Sequence, residues 1–329
     1  MTSATAALGC TLLEDGSLRV VADDGAAPQV RHWLPRLPLD RGVRPDAAGA
    51  VIQVAVRAAP PAPPPGRPTL ALDPVDAWIA EPGERVTLLS RDRGVAGEID
   101  LAGLKATIGV TPHAARPIAA PEEPRNAAVF SALTAAAALL LNRMRRALLH
   151  AAAVVAPDGG AWLLVGSAFA GKTTTTVNLI RGGWDYISDD HVVLGRAPDG
   201  AVVVEGWPRA FHLDRGYADG VSLGDRDAVD PAGFGPGGWR RSARLAGVLF
   251  PRVVAAQPTA AAPVSAADAL TLLIRQSPWL LADRAVARDV LALLADTVSG
   301  AAFGLSLGRD SYRDPARLLD ALSLAVASA

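Results

Sequence analysis

The chain has 329 residues, half of them hydrophobic and a fifth charged. That is ample apolar material for a packed core and excludes global disorder. A formal net charge of −1 with no basic run leaves no electrostatic footprint for nucleic acid or an anionic membrane surface. The lone cysteine, Cys10, excludes an intramolecular disulfide and fits a reducing cytoplasm. The opening Met-Thr-Ser-Ala-Thr-Ala has no basic start followed by an apolar run, so no signal peptide is expected.

Residues 1–122 read as a β-rich N-terminal domain. Ser17 to Ala22, Val51 to Val56, Arg85 to Leu89 and Lys105 to Val110 are β-type runs separated by Gly, Pro and Asp. The proline tract from Pro60 to Pro68 reads as a loop. Pro112, Pro117, Pro121 and Pro124 mark a boundary. An uncharged stretch from Ala127 to Leu141 follows, ending in Arg143, Arg145 and Arg146. It falls short of the ~20 apolar residues a spanning helix needs and reads as a core helix, so no membrane association is expected.

Residues 123–329 read as an α/β nucleotide-binding domain. Leu149 to Val155 and Ala161 to Val165 are apolar runs joined by Pro157-Asp158-Gly159-Gly160, a β-hairpin signal. Pairing Pro157 with Gly160 brings His150 opposite about Ser167. Further on, helical patterns (Ala266 to Arg275, Val286 to Asp296, Pro315 to Ala325) alternate with apolar strands at Leu245 to Phe250 and Ala302 to Leu307, as in layered α/β domains.

Directly after the hairpin comes the most specific signal. Of 32 basic residues only Lys105 and Lys172 are lysine, and Lys172 lies in Gly166-Ser167-Ala168-Phe169-Ala170-Gly171-Lys172-Thr173, a full GxxxxGK[ST] phosphate loop. Successive N–H groups of such a loop cradle a nucleotide's phosphates, the lysine reaches the β/γ-phosphates, and the threonine hydroxyl ligates Mg²⁺. A strand at Trp162 to Val165 before the loop and a helix from Thr173 to Ile180 after it, closed by Gly182 and Gly183, supply the context such a loop needs. Gly166 to Thr174 are therefore the expected binding residues for ATP or GTP.

Trp184 to Ile187 reads as the next strand, ending in Ser188-Asp189-Asp190. Ligand groups gather at the carboxyl ends of strands in open α/β sheets. Two carboxylates there can divide the labour, one holding Mg²⁺ and one accepting a proton. His191 precedes the strand Val192 to Leu194 and reads as structural.

His150-Ala-Ala-Ala-Val, Gly166 to Thr174, and Ile187-Ser-Asp-Asp-His-Val-Val-Leu194 together resemble the core of the HPr kinase/phosphorylase superfamily. That fold is shared with ATP-dependent phosphoenolpyruvate carboxykinase. The resemblance runs from about His150 to Leu319, is specific from His150 to Leu194, and leaves the first 120 residues unassigned. It implies an α/β chain with a P-loop HPr-kinase/PEP-carboxykinase-like domain that transfers phosphate from ATP to a serine of a protein or peptide. Asp189 would match the catalytic carboxylate, His150 its supporting histidine, and Asp190 a neighbour near the metal. Lys172 would keep its phosphate role and Thr173 its Mg²⁺ role. Glu205 would match a second acidic position near the metal, and Arg209 and Arg252 would neutralise phosphate charge. Some relatives are hexamers, so a homo-oligomer is compatible with the resemblance. The glycine- and arginine-containing segment of the bifunctional enzymes has no good match here, so neither phosphorolysis nor HPr as acceptor is expected. A small-molecule kinase or ATPase, and a nucleotide-sensing module without catalysis, stand as alternatives.

Overall fold

The computed structural model describes residues 8–34, 40–41, 49–80, 83–115, 124–207, 211–214, 226–254 and 258–327. The chain forms two compact units, one of residues 1–145 with 279–288, the other of residues 146–278 with 289–329.

In the first unit, nine strands make one sheet. They are β1 (Leu8–Thr11), β2 (Leu18–Ala22), β3 (Asp40–Arg41), β4 (Ala50–Val56), β5 (Leu70–Ala71), β6 (Val75–Ala80), β7 (Arg85–Ser90), β8 (Val95–Asp100) and β9 (Lys105–Val110). Their order is β3-β1-β2-β4-β9-β8-β7-β6-β5, with β2, β4 and β9 parallel and the remaining pairs antiparallel. A short helix, α1 (Ala27–Trp33), follows β2. The four strands expected from β-type runs are all present, within a residue at each end. The strands from Leu8, Val75 and Val95 carry weaker signals, because they are short or interrupted by Asp, Gly and Ala.

Helix α2 (Pro124–Arg143) packs on β4 and β6 to β9 of this sheet. From Ala135 to Leu141 every side chain is buried, which is why its composition is apolar all round rather than striped. At its C-terminal end the Asn142 amide donates to the Trp279 carbonyl at 3.2 Å, and Arg143 pairs with the fully buried carboxylate of Asp283. These contacts bring the 279–288 segment into the first unit. The unit boundary therefore follows Arg145, whereas the prolines had suggested 122/123. Pro117, Pro121 and residues 122–123 lie outside the described residues.

The second unit contains β10 (Ala147–Val155), β11 (Ala161–Val165), α3 (Lys172–Arg181), β12 (Asp185–Ser188), β13 (His191–Arg196), β14 (Val202–Gly206), β15 (Phe211–Asp214), β16 (Arg226–Val229), β17 (Ser242–Val253), β18 (Ala260–Pro263), α4 (Ala266–Arg275), α5 (Ala287–Thr297, its first two residues counted with the first unit), β19 (Ala301–Leu307), α6 (Arg309–Arg313) and α7 (Ala316–Ala327). Its main sheet runs β11-β10-β13-β14-β17-β19-β18, and β11 also pairs with β17. The pairings β10–β13–β14–β17–β11–β10 thus close on themselves. β10 lies between β11, which pairs with residues 151–155 on one edge, and the β12–β13 run, which pairs with residues 153–155 and 147–150 on the other. β17 pairs with β14 through residues 242–244 and with β11 from Leu245 on. β11, β17 and β19 run parallel. Val177, Leu179 and Ile180 of α3 and Leu318 and Leu322 of α7 complete a core with Trp162, Leu164, Leu249 and Phe303 from the strands.

Candidate functional site

The site is built around His150 on β10. His150 is the last residue paired with β13, opposite His191, and Ala151 is the first paired with β11, opposite Val165. β11 ends at that level, at Val165, and the phosphate loop leaves from its end. Continuing the hairpin register places His150 opposite Gly166, one residue short of the expected Ser167. The reason is the turn. Ala156 and Gly160 close it (Ala156 N donates to Gly160 O at 2.9 Å), leaving Pro157, Asp158 and Gly159 as a three-residue loop with Gly159 at φ +90°. Such a loop with a left-handed third residue displaces the register by one relative to a two-residue turn.

Gly171, the residue before α3, stands at φ +100°, and a Cβ there would lie 2.6 Å from Leu307 Cδ1. Only glycine meets both demands. The first turn of α3 thereby follows directly on the loop, and in such loops phosphate binds at the helix N-terminus. Phe169, at φ +65°, takes the same left-handed conformation with its ring exposed. The far end of α3 closes through Gly183, at φ +88°, with Gly183 N donating to Ile180 O and Trp184 N to Leu179 O, both at 3.0 Å.

The Lys172 ammonium is buried. It donates to the carbonyls of Gly166 (2.7 Å) and Ser167 (3.1 Å) and lies 3.1 Å from His150 Nε2. An ammonium has donors only, so Nε2 is the accepting nitrogen and the His150 ring proton sits on Nδ1. That proton faces Asp190 Oδ1 at 3.4 Å. The other oxygen of Asp190 meets His191 Nδ1 at 2.8 Å. Asp189 is buried and accepts from the Thr173 hydroxyl at 3.4 Å.

The expected residues therefore assemble, in a particular pairing. Thr173 stands with Asp189, Lys172 with His150, and His150 with Asp190. Glu205, expected near the metal, turns Oε1 to Arg241 Nε at 3.2 Å and Oε2 towards Arg146 at 3.9 Å. Arg252 is exposed on β17. Leu164 is opposite Leu249 in the parallel pairing, and the same register carries Arg252 to the level of Ser167. Arg209 lies outside the described residues. From the sequence, His191 reads as structural. Its pairing with His150 depends on a strand partner 41 positions away, which no local signal announces.

Among solved structures, the chain is similar to the Hpr(Ser) kinase/phosphatase from Coxiella burnetii, with a TM-score of 0.26 and 13% identity over 49% of this chain and 85% of that one. A likeness of that size is a distant structural relationship and assigns no residue. No family model and no curated protein matches the sequence.

Behind the carboxylates, Asp185 accepts from Gly238 N at 2.7 Å and Arg240 Nε at 2.6 Å. Partial burial acts to raise its pKa, but the Arg240 hydrogen bond, the Gly238 N–H and the Arg240 charge outweigh it, so the pKa lies below the ordinary 3.8. The clamp holds the segment whose Trp239 Nε1 donates to the Ile187 carbonyl at 3.2 Å, next to Ser188 and Asp189. Among the described residues no helix is long and apolar enough to cross a membrane.

Proposed function

We propose that the second unit is an ATP-dependent phosphotransferase that moves the γ-phosphate to a hydroxyl, a serine of a protein or peptide in the reading favoured here. The observation that carries the proposal is the convergence, around His150 of β10, of a complete phosphate loop with two carboxylates in different company. Thr173 and Asp189 offer hard oxygen donors, the set Mg²⁺ prefers, and so fit the ion a triphosphate brings. When bound, Mg²⁺ supplies charge neutralisation on the phosphates.

The chain's own residues do the rest. The loop N–H groups and Lys172 bind the triphosphate. Lys172 gives up its loop carbonyls for phosphate oxygens, a longer-range charge pairing for a compact, mobile ammonium. Asp190, held through Oδ1 by His150 and through Oδ2 by His191, accepts the hydroxyl proton late in transfer, so a weak base is enough. This exchanges the roles the resemblance implied. Asp189 serves the metal side and Asp190 the proton, because Thr173 contacts the former and His150 the latter.

The test is transfer of label from γ-labelled ATP with Mg²⁺ to a panel of peptides, proteins and small hydroxyl compounds. We expect Asp190→Asn to lower kcat by about 10²–10⁴-fold with ATP affinity retained. Asp189→Asn should weaken Mg²⁺-dependent ATP binding. Label on a peptide serine supports the full proposal, and label on small molecules alone moves it to a small-molecule kinase. ATP binding without turnover in any acceptor pool refutes transfer and leaves a nucleotide-sensing module.

A further inference from the structure

We propose that residues 59–65 of the first unit are a docking ligand for a partner protein whose groove is lined with aromatic rings and rimmed with acidic side chains. The segment reads Ala59-Pro60-Pro61-Ala62-Pro63-Pro64-Pro65 and lies between β4 and β5. Its conformation follows from its composition. Each proline has φ locked at about −65°. Ala59, Pro60, Ala62, Pro63 and Pro64 each precede a proline, which drives them out of the helical region. Those two restrictions leave polyproline II, an extended form with a solvated backbone and no internal hydrogen bonds. Residues 60–64 accordingly belong to no helix, strand or turn.

The fold presents this segment rather than packing it away. Arg57 N donates to Val110 O at 2.9 Å at its entrance. Along it, Arg93 Nη2 donates to the Pro61 carbonyl and Trp78 Nε1 to the Gly66 carbonyl, both at 3.3 Å. Beyond it, Ile79 N donates to the Thr69 hydroxyl at 3.1 Å. These ties fix the backbone and leave the rings outside. Of residues 57–67 only Pro60 and Pro64 are half-buried, and the others are exposed. With about three residues per turn, Ala59, Ala62 and Pro65 share one exposed ridge, and the exposed rings of Pro61 and Pro63 stand on either side of it. The chain must cross from β4 to β5 past β9, β8, β7 and β6, which calls for length. It does not call for rings left in water at Pro61, Pro63 and Pro65, where they contribute no burial.

The partner's chemistry follows from the same residues. A proline ridge already held in its bound conformation loses little entropy on docking, and it fits grooves between flat aromatic side chains. Arg57 and Arg67 are exposed at its two ends, and Arg93 is exposed beside Pro61. No Asp or Glu occurs between Asp46 and Asp73, so the segment's surroundings in the chain are positive and favour acidic groups at the groove's rim. None of this rests on the phosphotransfer reading.

The experiment titrates the full chain with a purified SH3 domain of acidic rim, a groove of the stated chemistry, by isothermal calorimetry at low and high salt. Saturable one-to-one binding, weakened by salt, is expected. The triple variant Pro61→Ala, Pro63→Ala, Pro65→Ala should weaken it by at least about tenfold. Arg57→Glu with Arg67→Glu should weaken it by about tenfold and reduce the salt dependence. Pro157→Ala, at an exposed proline of the second unit, should leave it unchanged. Circular dichroism checks the fold of each variant. Should the triple variant fail to fold, Ala62→Glu, which sets a negative charge on the exposed ridge, carries the test with the same expected loss. No saturable binding by the wild type, or equal affinity in the folded proline or Ala62 variant, overturns the docking ligand. Unchanged affinity in the arginine pair overturns the acidic rim.

Discussion

Gly171→Ala isolates what the phosphate loop demands of its last glycine. At φ +100° an alanine backbone is disfavoured by about 1–2 kcal/mol. The new Cβ would also stand 2.6 Å from Leu307 Cδ1, about 1 Å inside ordinary carbon contact. Leu307 is buried at the end of β19, so it can yield only by repacking, at about 1–3 kcal/mol. The sum is a loss of about 2–5 kcal/mol. Gly159→Ala, in the hairpin turn, is the matched control. Its φ is +90° and a Cβ there meets nothing within 4 Å, so it should lose the backbone share alone, about 1–2 kcal/mol. Urea unfolding of both variants, compared at constant m-value, reads the difference as a shift in midpoint. ATP affinity should fall for Gly171→Ala, whose repacking displaces the first turn of α3, and hold for Gly159→Ala. Equal destabilisation by the two substitutions would refute the close approach to Leu307, and a stability change under about 0.5 kcal/mol in both would refute the left-handed requirement as well.

Two further outcomes bear on the scaffold. Asp283→Asn should destabilise the first unit by about 3–5 kcal/mol in chemical unfolding, because it leaves the Arg143 charge partly buried without its partner, while Arg143→Met with Asp283→Leu should recover much of that loss. Asp185 should contribute to acid stability. Its folded pKa is depressed below 3.8, so its stabilisation is complete above that value and disappears as pH falls through the folded pKa. Asp185→Asn should therefore cost about 1 kcal/mol at neutral pH, discounted for the exposure of Arg240, and flatten the acid limb of a stability–pH curve between pH 4 and lower values.

Much of the second unit is written locally. The helix predicted over Ala266 to Arg275 is the one observed, and that over Val286 to Asp296 is shifted by one residue. β17 is longer than the predicted Leu245 to Phe250, running from Ser242 to Val253, because its ends gain backbone partners in β14 and β19. Tertiary pairing extended a strand whose flanking residues, Ser242, Arg244 and Arg252, carry little β signal of their own.

Sequence alone determined the phosphate loop, its strand and helix, the hairpin before it and the carboxylate pair after it, since each is a contiguous run with its own turn residues and periodicity. It also placed His150 within one residue of its true position, because a hairpin register is a local property of the turn. Only the tertiary structure decided which carboxylate each partner meets. Asp189 and Asp190 are adjacent and chemically identical, and a strand end sends consecutive side chains in different directions. Thr173 reaches one, and His150 and His191 flank the other. The pairing of β10 with β13 likewise has no local signature. It sets His150 opposite His191 and so brings two histidines to either side of one aspartate.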